Sequence, residues 1–73
     1  MTMNKINPAK LMRSKWTAQN PLNKERHFIV SALIRDEMEN IVACEMEAVI
    51  NHNRYQIDWS LLRDSETWIM GWK

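Results

Sequence analysis

Few side chains in this sequence have the chemistry of a reaction centre. The soft ligands and nucleophiles are Cys44, His27 and His52. No two of them stand at metal-ligand spacing, and a structural zinc normally takes four ligands. Cys44 sits in a run where Val42, Cys44, Met46, Ala48 and Ile50 alternate with Glu45 and Glu47. That pattern puts its thiol on an apolar face. Burial and nearby carboxylates disfavour the thiolate that a nucleophilic cysteine needs. Asp58 with Glu45 or Glu47 could pair two carboxyl groups for acid–base work, but a solvated row of charges on the outer side of a sheet accounts for the same three residues. The sequence therefore predicts no catalytic residue, no metal, no cofactor and no enzymatic activity.

Two other sets of residues have the chemistry of binding. Lys5, Lys10, Arg13, Lys15, Lys24 and Arg26 crowd the first 26 positions against Glu25 alone, a net charge of +5. The remaining residues carry four cations and eight acids, a net charge of −4. A basic leader on an acidic body either folds back on that body or offers a surface to RNA or DNA. Trp16 is the one aromatic ring among these cations, and it could pack inward or stack on a base. At the other end, Trp68 and Trp72 could cover a sheet or leave a sticky patch for a protein partner.

Composition limits the frame that holds these residues. With 73 residues the chain has room for one domain, spanning 1–73, in which residues 1–15 form a basic leader whose extreme end is open to partial disorder. A single Gly excludes Gly-rich phosphate loops, and a single Cys excludes an internal disulfide. No apolar run exceeds the four residues from Ile41 to Cys44, so no membrane span is expected. No signal-like segment opens the chain, which points to a reducing cytoplasm. A domain this small buries only about 60% of the surface its unfolded chain exposes, so four Trp are expected to supply much of the core.

The patterning predicts a small, mostly β fold of the α+β type. Asn7-Pro8 reads as a helix start, with a short helix over about 8–13. Residues 16–26 read as an extended piece with a turn near Asn20-Pro21. From residue 27 the hydrophobic period is two. Phe28, Val30, Ala32 and Ile34 share one face of a strand over about 27–35. Further strands are expected over about 41–50 and 54–60, forming a three-stranded antiparallel meander; an SH3-like small barrel is the alternative. A two-residue loop at His52-Asn53 pairs Met46 with Trp59 and Cys44 with Leu61, so that apolar residues meet. An odd-length loop would put Glu47 opposite Ile57, so the loop should hold two or four residues. The tail shows no alternation. It reads as a helical turn capped by Ser60 or Asp64, with Trp68, Ile69 and Trp72 on one side and Gly71 ending it in a left-handed conformation.

Several strings are distinctive together: Asn7-Pro8, Ser14-Lys15-Trp16-Thr17, the stretch from Asn23 to Val30, Cys44-Glu45-Met46-Glu47-Ala48-Val49, Asp58-Trp59-Ser60-Leu61-Leu62, and Trp68 followed by Gly71-Trp72-Lys73. From about residue 4 to 73 the chain resembles a family of small bacterial tryptophan-rich proteins of unknown function. It departs from that pattern in the turn at Met38-Glu39-Asn40, where members often carry a Gly. The resemblance implies a bacterial, soluble, cytoplasmic protein and carries no catalytic residue or cofactor with it. The reading that results is a non-enzymatic protein-interaction module using Trp68 and Trp72. The alternative is a small RNA- or DNA-binding protein using Lys5, Lys10, Arg13, Lys15, Trp16, Lys24 and Arg26. Oligomeric state is left open.

Overall fold

A computed structural model describes residues 3–73. The chain forms five strands, β1 (Lys15–Leu22), β2 (Glu25–Arg35), β3 (Ile41–Ala48), β4 (Arg54–Ile57) and β5 (Trp68–Met70), with 3-10 turns at Pro8–Lys10 and Trp59–Arg63. They make one sheet in the order β4-β3-β2-β1-β5, antiparallel throughout. The mostly β expectation holds, but there are five strands rather than three.

The two extra strands come from segments read as irregular or helical. β1 and β2 meet in a hairpin whose two turn residues, Asn23 and Lys24, both have left-handed φ (54° and 62°), with Leu22 paired to Glu25. That is the turn geometry whose twist matches antiparallel strands. Pro21 is accommodated because β5 pairs with β1 only at Trp16, Thr17 and Ala18, so no neighbour on that side asks Pro21 for an N–H. The tail corrects the helical expectation. Trp68–Met70 is strand β5, and Gly71 does take a left-handed φ of 84° beyond it. The leading helix is likewise shorter than expected: Asn7 caps it and Pro8 starts it, but it is a single 3-10 turn ending at Lys10.

The β3–β4 hairpin keeps the predicted parity with a different loop. Ala48 and Asn53 bond across a four-residue loop (Ala48 N to Asn53 O, 2.8 Å), and His52 takes a left-handed φ of 62°. Met46 therefore pairs with Tyr55 and Cys44 with Ile57, rather than with Trp59 and Leu61. The physical reason lies in the loop's own bonds. Asn51 Oδ1 accepts from Asn53 N at 2.9 Å, and His52 N donates to Ala48 O at 2.8 Å. The strand stops at Ile57 because Asp58 caps the 3-10 turn that follows, accepting from Ser60 N at 2.9 Å.

The face assignment within β2 is also corrected. Phe28 and Val30 face the core as predicted, but the register shifts between Val30 and Ala32. Ser31 is the extra residue of this bulge, its hydroxyl donating to Glu45 Oε1 at 2.7 Å. A bulge reverses the alternation that follows. Leu33, not Ala32 or Ile34, then packs on the core with Leu11, Trp16, Cys44, Met46, Ala48 and Leu62.

Partial disorder at the extreme N-terminus falls on residues 1–2, which lie outside the described residues. From Asn4 onward the leader is fastened to the body. Asn4 Nδ2 donates to Leu62 O (2.8 Å) and Trp68 O (2.9 Å), and its backbone N–H to Arg63 O (2.9 Å). No helix among the described residues is long and apolar enough to cross a membrane.

Candidate functional site

Strands two apart in a flat sheet lie roughly 10 Å from one another. Yet Phe28 of β2 meets Trp68 of β5 at a ring-centroid distance of 5.2 Å, and Tyr55 of β4 at 6.3 Å. Ala18 and Ala48, small residues on the intervening strands, pair with Trp68 and Phe28 respectively. The sheet thus curls until its two edges approach one central ring. What remains between the edges is a cleft of about 340 Å³. Phe28, Met46, Tyr55, Ile57 and Trp68 line it, and Leu22 stands at its rim, 77% exposed.

Glu25 closes one end of the cleft and is only 4% exposed. Its Oε1 accepts from the Tyr55 hydroxyl at 2.6 Å; its Oε2 accepts from Asn51 Nδ2 (2.8 Å) and Asn53 Nδ2 (3.0 Å). All three donors are neutral, and among the described residues no cation forms an ion pair with this carboxylate. The Tyr55 bond, then that of Asn51, holds its pKa below the ordinary carboxylate value against the opposing effect of burial. Hydrogen bonds to the charged form have that effect. Sequence reasoning passed over this group. The available signals were that Glu25 is the one acid among the first 26 residues and that Tyr55 is the one Tyr.

The predicted aromatic pair is divided. Trp68 lines the cleft, while Trp72 crosses to the other side of the sheet. There the Trp72 indole N–H donates to Phe28 O at 2.9 Å, its ring lies 6.1 Å from His27, and Lys15 Nζ stands 4.7 Å from its ring centroid. Thr17 fastens the same tail, donating to Gly71 O at 2.7 Å and accepting from Lys73 N at 3.0 Å. The two Trp therefore do not form one patch: a continuous strand would keep residues four apart on one face, but β5 ends at Met70 and the left-handed Gly71 turns the chain before Trp72.

All six leader cations are exposed, and among the described residues none pairs with an acid of the body. Lys5 and Lys10 flank a smaller hollow of about 250 Å³. Arg13 precedes β1 with a left-handed φ of 66°, Lys15 is under Trp72, and Lys24 and Arg26 are at the far end of the β1–β2 hairpin. Trp16 is not available to stack on a base. It is 1% exposed, and its indole N–H donates to Ser14 Oγ at 2.8 Å.

The residues first considered for chemistry are engaged in structural contacts. Burial, and then the charge of Asp58, push the Cys44 thiol up to about 11. Glu47 bonds His52 Nδ1 at 3.0 Å and Arg54 Nε at 3.1 Å, which hold its pKa down. Asp58 serves as a cap. Among the described residues, no three of His, Cys, Asp or Glu gather where a metal could bind.

A family description, tryptophan-rich protein (DUF2389), matches residues 14–73. The chain belongs to this family. The match runs from just before β1 to the end of the chain, so every strand of this tryptophan-rich protein and every wall of its cleft lies inside it. The family has no known function. No curated protein matches the chain, and no solved structure does.

Proposed function

We propose that this tryptophan-rich protein is a non-enzymatic interaction module whose cleft receives a segment of another protein. The observation that carries this reading is the open, aromatic-walled cleft between the two sheet edges, with Leu22 exposed at its rim. Protein interfaces are enriched in aromatic anchors set in such apolar hollows. The strand order and the 3-10 turn between β4 and β5 support reading the curled sheet as an SH3-like small barrel. The free, buried Cys44 and the family resemblance support a bacterial cytoplasm.

A photo-crosslinking residue placed at Leu22, or at the equally exposed Met38 as a control, tests the reading in cells of the source organism. The expected result is a discrete adduct from position 22 alone, and a peptide from the captured protein that shifts the Trp68 and Tyr55 resonances. Identical adducts from both positions, or peptides that leave those resonances unmoved, would overturn it.

The second reading, a nucleic-acid-binding protein, is favoured by the six exposed leader cations that make no ion pair among the described residues. It predicts a salt-sensitive change in Trp fluorescence on addition of single- or double-stranded RNA. No change at low salt refutes it.

A further inference from the structure

Within the cleft, one end is a negative charge and the walls are rings. Glu25 carries its carboxylate there without a cationic partner among the described residues. A carboxylate offers about four acceptor sites, and Tyr55, Asn51 and Asn53 occupy three. Phe28, Tyr55 and Trp68 bound the same space, and the angles between their planes, 64° for Phe28–Tyr55 and 81° for Phe28–Trp68, set them as separate walls rather than a stack.

We infer that the cleft holds a methylated ammonium group, presented on the lysine side chain of the protein segment that docks there. This rests on the reading of the cleft as a docking site. The ligand must be cationic, because an unpaired carboxylate at the end of an apolar hollow attracts a positive charge more strongly than it would in water. Methyl groups in place of its N–H donors suit the aromatic walls. A bare ammonium brings three N–H groups that need acceptors, and beside the one open carboxylate site the lining is mostly rings and apolar side chains, with Asn20, Asn23 and Thr67 its other polar residues. A trimethylated ammonium keeps the charge, needs no acceptor and presents methyl groups to aromatic walls, the chemistry by which aromatic cages take quaternary ammonium ligands. The cleft volume of about 340 Å³ suits a slender side chain of this kind.

Three blocked amino acids test this with the whole chain: the N-acetyl, N-methylamide forms of trimethyllysine, lysine and norleucine. Trp68 and Tyr55 resonances are followed by NMR during titration, with tetramethylammonium chloride as a fourth arm. The expected result is binding of the trimethyllysine compound at least tenfold tighter than lysine or norleucine, and a tenfold loss in Glu25→Gln. Tetramethylammonium binding as tightly as trimethyllysine overturns the assignment to a side chain. Norleucine binding as tightly overturns the cation but leaves the docking reading standing. Lysine binding as tightly overturns the methyl requirement. No shift with any compound overturns the inference, while the Leu22 crosslink decides the docking reading separately. The comparison among ligands uses the native chain, so it does not depend on Glu25→Gln folding.

Discussion

The Tyr55 hydroxyl donates to Glu25 Oε1 at 2.6 Å, joining β4 to the first residue of β2 across 30 positions of sequence. Asn51 and Asn53 bind the other carboxylate oxygen, so the β3–β4 loop is drawn onto the turn end of the β1–β2 hairpin. One carboxylate thereby sets both the end of the cleft and the separation of its two walls.

The phenol should report this contact directly. Tyr55 is the only Tyr, and its pKa is raised, first by the hydrogen bond to Glu25, then by burial and by the carboxylate's charge. An ultraviolet absorbance titration should therefore give a phenolate midpoint above the ordinary value of about 10. In Glu25→Gln the midpoint should fall back towards about 10. An unmoved midpoint in the variant would show that the contact is absent in solution.

The same pair shapes stability against pH from both sides. The folded phenol holds its proton more tightly than the unfolded one, so its contribution is whole below about pH 10 and fades as pH rises through the folded midpoint. The carboxylate has the opposite sense. Its pKa is lowered on folding, so its contribution is whole above about pH 4.3 and is lost as pH falls through the folded value. Asp36, Glu47, Asp58 and Asp64 are lowered too and share the acid limb. Cys44, raised to about 11, shares the alkaline limb, so denaturant midpoints measured across pH should lose part of their alkaline slope in Tyr55→Phe and part of their acid slope in Glu25→Gln.

Two adjacent leucines test the phase of the second 3-10 turn. Leu62 is fully buried in the core, whereas Leu61 is 55% exposed. Leu62→Ala should cost about 2–5 kcal/mol, as for other large-to-small core changes. Leu61→Ala should stay within about 0.5 kcal/mol. Urea unfolding of both variants measures the difference. The register with Cys44 opposite Leu61 would reverse the order.

What could be read in the sequence followed the range of each signal. Period-two alternation located β2 and β3, and the parity rule required an even loop between β3 and β4. Parity does not choose between two and four residues; the Asn51 side chain makes that choice by bonding Asn53 N. The bulge at Ser31 was invisible, because a hydroxyl reaching a carboxylate 14 positions away leaves no local pattern. β5 was missed for a related reason: three residues are too few to show alternation, and β5 exists because β1 offers an edge. The cleft depends on that pairing, so its walls could not be gathered from spacing alone.

The lone thiol should be inert while the chain is folded. Cys44 is fully buried, and its pKa stands at about 11. At neutral pH almost none of it is thiolate, the form that attacks disulfide reagents. Labelling with an aromatic disulfide should be complete in denaturant and should proceed in native buffer only as fast as the protein opens. Rapid native labelling would contradict the placement of Cys44 between Ile57 and Leu33 in the paired strands.

The turn between β2 and β3 carries a strain that one substitution should release. Asp36 Oδ1 accepts from Met38 N at 2.8 Å and Asn40 N at 2.9 Å, and this closes the turn so tightly that Glu39 takes a left-handed φ of 66°. A side chain costs roughly 1–2 kcal/mol in that conformation, whereas Gly adopts it freely. Part of the relief is offset because Gly also adds freedom to the unfolded chain. Glu39→Gly should therefore stabilise the protein by up to about 1 kcal/mol. The Arg35 contact survives the change, since Arg35 Nη1 donates to the Glu39 backbone oxygen at 3.0 Å and not to its carboxylate. Glu39→Ala keeps the steric conflict and should show no such gain. A rise in the urea midpoint for Gly but not Ala locates the strain in the backbone; equal rises would assign it to the charge of Glu39 beside Asp36 and Glu37.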